Sequence, residues 1–140
     1  MSEKIVIDTS VFISALIGPT GPSRELLRRT LLGEFIPLFS TTLFCEYEAV
    51  MQRRVILDQC PLTQDEIVEL TQALVIVSQW VSIYYTWRPN LRDEADNHLI
   101  ELAIAGNAEI TVTNNTKDFS NAELLFPGLS IEKPENVIRK

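Results

Sequence analysis

The sequence predicts an α/β domain, a three-layer α/β/α sandwich around a central parallel sheet of four to five strands. Three observations lead there. Short runs of β-branched residues, Lys4 to Asp8 (KIVID) and Ala108 to Thr113 (AEITVT), read as strands buried on both faces. They alternate with longer amphipathic stretches at the rhythm that builds parallel sheets. Finally, 140 residues with 46% apolar content suffice for one core and not for two, so residues 1–140 read as a single domain.

Taken in order, Lys4 to Asp8 is the first strand, with Asp8 at its end, and Thr9 to Leu16 continues as a helix from the strand's tip. Gly18-Pro19-Thr20-Gly21-Pro22 is a loop. Ser23 is expected to cap the next helix, in which Leu26, Leu27 and Leu31 make an apolar face and Arg24, Arg28 and Arg29 a basic edge, most simply a solvated one. Phe35 to Ser40 reads as the second strand, Pro37 suggesting an edge strand or an early position in it. Thr41 to Arg53 carries Leu43, Phe44, Tyr47, Val50 and Met51 on a wide apolar stripe. Glu46 and Glu48 border that stripe on opposite sides, and spacing does not choose between them. Thr63 to Glu66 is a capping box opening a helix through about Ser78, and Val81 to Tyr85 reads as a third strand.

The stretch from Arg92 to Phe119 organises the chain. Asp93 is a good N-cap, Asp96 stands at the acidic position of a capping box, and Gly106 ends the helix that follows. The strand Ala108 to Thr113 then opens onto Asn114, Asn115, Thr116, Lys117 and Asp118, a run too polar for a core. A short helical turn near Ala122 to Phe126, a last strand at Leu129 to Glu132 and a frayed end after Pro134 complete the reading.

Composition bounds the function. There is no signal-peptide-like apolar stretch after the N-terminal charges and no run of about 18 apolar residues, so a cytoplasmic protein without a membrane span is expected. Cys45 and Cys60 have no metal-ligand spacing and make no disulfide framework. A net charge of -7 argues against broad nonspecific nucleic-acid binding. No phosphate-binding glycine motif occurs among the five glycines. His98, two residues after Asp96, points away from it with Glu94 and Glu101 and reads as a surface residue. Trp80, Trp87, Tyr84 and Tyr85 read as core or interface residues, with Trp87, Arg88 and Arg92 able to line an RNA path.

What remains is carboxylates. A parallel sheet presents its working residues at the carboxyl ends of its strands. Asp8 and Asp118 lie at or just past such ends and Asp96 in the first turn of a helix entering the sheet, with Glu46 or Glu48 as a fourth acid. Asp8, Asp93 and Asp96 also suit simple helix caps, Glu46 an ion pair at the stripe's border, and Asp118 a turn cap. Several carboxylates gathered together repel unless a cation neutralises them, and oxygen ligands favour Mg²⁺ or Mn²⁺. The chemistry such ions serve is hydrolysis at phosphorus.

Val6-Ile7-Asp8-Thr9-Ser10-Val11, then Ser40 to Arg53 with Glu46, then Arg92 to Asn97, then Thr111 to Phe119 resemble the successive motifs of PIN-domain ribonucleases. The likeness is greatest to VapC-like toxins of bacterial toxin–antitoxin pairs and covers nearly the entire chain. It implies a parallel sheet between helices and a metal-dependent endoribonuclease using Mg²⁺ or Mn²⁺. Matched by position, Asp8, Glu46, Asp96 and Asp118 would be the catalytic and metal-holding acids, Glu46 being preferred to Glu48 because Val50 and Arg53 then fall on the family's apolar and arginine positions. Asp93 would be accessory, and Thr9, Ser10, Thr113 and Asn115 would orient ligands or the scissile phosphate. Arg88, Arg92 and Lys117, with Arg24, Arg28, Arg29, Arg53 and Arg54, would meet RNA. The resemblance further implies an antitoxin protein as partner and a homodimer.

Two departures stand out. Ser10 occupies a position where this branch usually has Asn, and Asn114 and Asn115 follow the strand where other members carry an acid. They leave the number of metals open and keep a second reading alive, a non-catalytic PIN-like module that binds RNA or protein. A phosphatase of the haloacid-dehalogenase type, which also uses an acid at a strand end, would want a second Asp where this chain has Ser10.

Overall fold

The computed structural model describes residues 3–18, 20–82, 97–116 and 128–139. Alternation within the first strand, β1 (Glu3–Ile7), dictates the architecture: Ile5 and Ile7 enter one apolar cluster and Val6 the other, so the strand is buried on both faces. Beyond it come α1 (Thr9–Ile17), α2 (Pro22–Leu31), β2 (Phe35–Phe39), α3 (Thr41–Met51), α4 (Arg54–Gln59), α5 (Gln64–Val77) and β3 (Gln79–Trp80). The remainder is α6 (Asn97–Ala105), β4 (Ile110–Val112), β5 (Ser130–Glu132) and α7 (Pro134–Val137). The five strands are ordered β3-β2-β1-β4-β5 and every pairing is parallel, as predicted.

Helices cover both faces. Leu43 and Tyr47 of α3, Ile67 and Leu74 of α5 and four residues of α6 pack with Val6, Leu38 and Ile131. On the other side Leu26 of α2 and Val137 of α7 pack with Ile5, Ile7, Ile110 and Val112. Chain order runs outward from β1 in both directions, through β2 to β3 on one side and through β4 to β5 on the other. The point of reversal is therefore the crevice between β1 and β4, which is where open α/β sheets bind ligands. Among the described residues no helix is long and apolar enough to cross a membrane.

Several expectations are corrected. Gly21, not Ser23, is the N-cap of α2: its φ of 128° and ψ of 175° suit glycine alone, and Pro22 supplies the first helical residue, leaving Ser23 buried inside the first turn. β3 is Gln79–Trp80, starting two residues before the predicted strand, because these are the residues that meet Leu38 and Phe39; residues 83–85 lie outside those described. β2 is an internal strand, yet β3 reaches only Leu38 and Phe39, so among the described residues Pro37 has a strand partner on its β1 side alone. The chain does not fray after Pro134: α7 buries Val137, a contribution of about 1.5–3 kcal/mol. Between α3 and α5 stands α4, a short helix the periodicity did not disclose.

The basic edge of α2 is only partly solvated. Arg24 Nε donates to the Ala15 carbonyl at 2.7 Å and ties α2 to α1, while Arg29 Nη1 donates to the Ile138 carbonyl at 2.8 Å and holds α7 in place. Arg28 pairs with Glu25, and that bond holds the Glu25 carboxyl below its ordinary value. Gly106 follows the last residue of α6 for a packing reason, since a Cβ there would lie 2.5 Å from Leu38 Cδ1. The left-handed residue that turns the chain is Asn107, with φ 58°.

Candidate active site

Asp8 leaves β1 at the reversal point. Its backbone N–H donates to the Val112 carbonyl at 2.9 Å, extending the β1–β4 ladder by one residue. It stands at the N-cap of α1, yet its side chain makes no capping bond. Oδ2 instead accepts from Thr113 Oγ1 at 2.7 Å and Ser10 Oγ at 3.0 Å. Both hydroxyls are themselves oriented: the Asn115 N–H donates to Thr113 Oγ1 at 3.1 Å and the Asn114 N–H to Ser10 Oγ at 3.4 Å. With a donor occupying one lone pair of each hydroxyl, the hydroxyl protons turn toward Asp8. Asp8 is 8% exposed and its carboxylate is anchored at Oδ2, while Oδ1 accepts nothing from the described residues.

Glu46 and Glu48 part company on α3. Glu46 accepts from Thr9 Oγ1 at 3.0 Å through Oε1 and meets His98 Nε2 at 2.8 Å through Oε2. Glu48 lines a groove with Phe44, Met51, Thr71 and Val75 on the other side of the helix. Tyr47, between them, settles this rotation: fully buried, it stacks on Phe12 at 4.3 Å between ring centroids and donates its hydroxyl to the Ile7 carbonyl at 2.8 Å. Burial first, then the negative charges of Asp8 and Glu46, push its phenol well above the usual tyrosine value. Tyr47 therefore remains a donor beneath the two carboxylates.

His98 is not the surface residue that its spacing from Asp96 implied. Its side chain is 15% exposed and engaged with Glu46. One sequence signal pointed this way: His98 precedes by one helical turn Leu102, a residue of the buried stripe of α6. Asn114, a departure from an acidic position in the sequence, has a structural part of its own. Its amide donates to the Ser10 carbonyl at 3.3 Å and to Ser14 Oγ at 3.1 Å, stitching the end of β4 to α1.

The structure thus brings together Asp8, Thr9, Ser10, Glu46, Thr113 and the backbone of Asn115 at one end of the sheet. Asp93, Asp96, Asp118, Arg88, Arg92 and Lys117 lie outside the described residues, as do Trp87, Tyr84 and Tyr85. Trp80 is half-exposed and leans on Phe39 and Phe44. Arg53 and Arg54 are exposed. Among the described residues no group of three or more His, Cys, Asp or Glu side chains is gathered as a metal would require. Asp8 and Glu46, held at this end of the sheet by Thr113 and Thr9, are oxygen donors, the ligand type a hard divalent ion prefers.

Known proteins agree with this layout. A chain of the VapBC2 complex of Rickettsia felis, crystallised with a DNA fragment from its promoter, superposes with a TM-score of 0.57 over 93% of this chain and 98% of that one, at 14% identity. At that identity the likeness speaks for the fold. No curated protein sequence matches the chain. The model of the PIN domain matches residues 4–117, a span that starts in β1, includes Asp8 and Glu46, and passes the polar end of β4. By that match and by its five-stranded parallel sheet, the chain belongs to the PIN domain family.

Proposed function

We propose that this protein is a Mg²⁺- or Mn²⁺-dependent endoribonuclease, the toxin of a toxin–antitoxin pair, in which Asp8, Glu46, Asp96 and Asp118 hold the metal and the attacking water. The observation that carries the reading is Asp8: a carboxylate at the sheet's reversal point, fixed through Oδ2 by Thr113 and Ser10, whose Oδ1 accepts nothing among the described residues. Membership of the PIN domain family, a fold of nucleases, supports it. So does the likeness to a chain of a VapBC complex, which also motivates an antitoxin as partner.

A divalent ion held there would supply positive charge against the phosphodiester and lower the pKa of water. The chain's own residues do the rest. Ser10 and Thr113 restrict the Asp8 carboxylate to one orientation, and Thr9 does the same for one oxygen of Glu46. Asp93 serves as an accessory acid and Asn115 orients ligands or the scissile phosphate, while Arg88, Arg92 and Lys117 supply local positive charge for RNA in a chain whose net charge is -7. A homodimer in the cytoplasm completes the proposal.

The test is cleavage of a pool of structured and single-stranded RNA by purified protein with Mg²⁺, Mn²⁺ or EDTA, with Asp8→Asn and Asp96→Asn run beside the wild type. Metal-dependent cleavage that vanishes in both variants is the expected result, since a contaminating nuclease would not follow the mutations. Full cleavage by Asp8→Asn would sink the assignment. One observation favours a second reading, a non-catalytic PIN-like module: Asn114, standing where an acid occurs in other PIN domains, is spent on a bridge to Ser10 and Ser14. No cleavage, and no rise in melting temperature on adding Mn²⁺, would favour that module, because a ligand of the folded state must raise apparent stability.

A further inference from the structure

His98 is the chain's one histidine, and the functional reading above leaves it without a task. Its geometry asks for one. Leu99, Ile100, Leu102 and Ala103 anchor α6 in the core and fix its rotation. That rotation delivers the His98 ring to α3, where Nε2 stands 2.8 Å from Glu46 Oε2 across 52 residues of sequence. An ionised carboxylate only accepts, so Nε2 carries the proton and donates it. The opposite nitrogen, Nδ1, is buried and has no partner among the described residues. Among the described residues, then, the ring's hydrogen bond is the one it makes to Glu46.

Glu46 gains what the ring gives up. It sits on an exposed shoulder of α3 with its side chain 40% exposed, where a glutamate would otherwise sample several rotamers. Here α1 grips one oxygen through Thr9 and α6 grips the other through His98. We infer that His98 is a positioning residue, holding the Glu46 carboxylate beside the strand end of Asp8 so that the two acids can share one divalent cation. This rests on the metal-dependent reading above and goes beyond it, since the acids alone do not say what orders Glu46.

The test is Mn²⁺ titration by calorimetry of the folded, metal-free chain, comparing wild type, His98→Leu and His98→Gln, each also in a Glu46→Gln background. Partners that orient a ligand typically govern metal affinity by about 10–100-fold, so His98→Leu should weaken Mn²⁺ binding by about that factor. His98→Gln, whose amide nitrogen can reach the place of Nε2, should recover most of it. In the Glu46→Gln background the His98→Leu loss should disappear, because the double-mutant cycle assigns it to the pair. Unchanged affinity in His98→Leu beside a wild type that binds Mn²⁺ would overturn this inference alone, as would an equal loss in His98→Gln or a loss that persists with Glu46→Gln. A wild type that binds no Mn²⁺ would overturn the metal reading and this inference with it. Should His98→Leu fail to fold, nitrogen NMR of the single histidine decides: a proton on Nε2 is expected, and a proton on Nδ1 alone refutes the bond.

Discussion

Thr113→Val tests how Asp8 is held, because it exchanges a hydroxyl for a methyl at nearly constant shape. Thr113 is fully buried, and its hydroxyl donates to Asp8 Oδ2 at 2.7 Å while accepting the Asn115 N–H at 3.1 Å. A hydrogen bond to a charged group is worth about 1.5–3 kcal/mol. The added methyl returns roughly 0.8 kcal/mol of burial, leaving a net loss of about 1–2 kcal/mol. Unfolding entropy of about 2.1 cal/mol/K per residue converts that, over 140 residues, into a melting temperature lower by about 3–7 °C. Thermal denaturation at neutral pH by circular dichroism reads it, with Thr113→Ser as the control that keeps the hydroxyl and loses the methyl. A valine variant that melts within a degree of wild type would refute the claim that the hydroxyl orders the carboxylate.

Three further outcomes are expected. Gly106→Ala would push a Cβ to 2.5 Å from Leu38 Cδ1 and 3.0 Å from Val81 Cγ2, and urea denaturation should find it destabilised by about 1–3 kcal/mol. Tyr47→Phe removes the donor to the buried Ile7 carbonyl and should cost about 1–3 kcal/mol; in alkaline titration followed by tyrosine absorbance, the ordinary tyrosine transition should be the same size in wild type and variant, because burial holds the Tyr47 phenol well above the usual tyrosine value. Glu66 accepts from the Thr63 backbone N–H while the Thr63 hydroxyl caps the Glu66 N–H, and these bonds hold its carboxyl below the ordinary 4.5. Between the lowered value and 4.5 the unfolded chain binds more protons, so this contribution is complete above 4.5 and is lost as pH falls through the folded value. The stability gap between wild type and Glu66→Gln should accordingly close on acidification.

What the sequence discloses depends on how far apart the partners lie. The capping box of α5 spans three residues and was readable as such. The meeting of Asp8 with Thr113, 105 residues apart, was accessible for a different reason: parallel strands end in a common plane, and a run of β-branched residues announces each end. Local rules that compete were harder. Ser23 has the better capping chemistry, but Pro22 belongs at the first helical position, which moves the cap to Gly21. Four residues are too few for a helical period, so α7 was invisible.

The rotation of one helix against another has no such signature. Glu46 and Glu48 stand about 200° apart around α3, and apolar spacing centres the stripe between them without ranking them. The choice is made by Tyr47, whose hydroxyl reaches the Ile7 carbonyl and whose ring stacks on Phe12. With Tyr47 pinned, Glu46 must turn to Thr9, and Glu48 to the groove with Met51 and Thr71. The same fixing of α6 by its core residues turns His98 to Glu46. Half of the site therefore follows from strand ends, which sequence periodicity locates, and half from helix azimuths, which only the packed core decides.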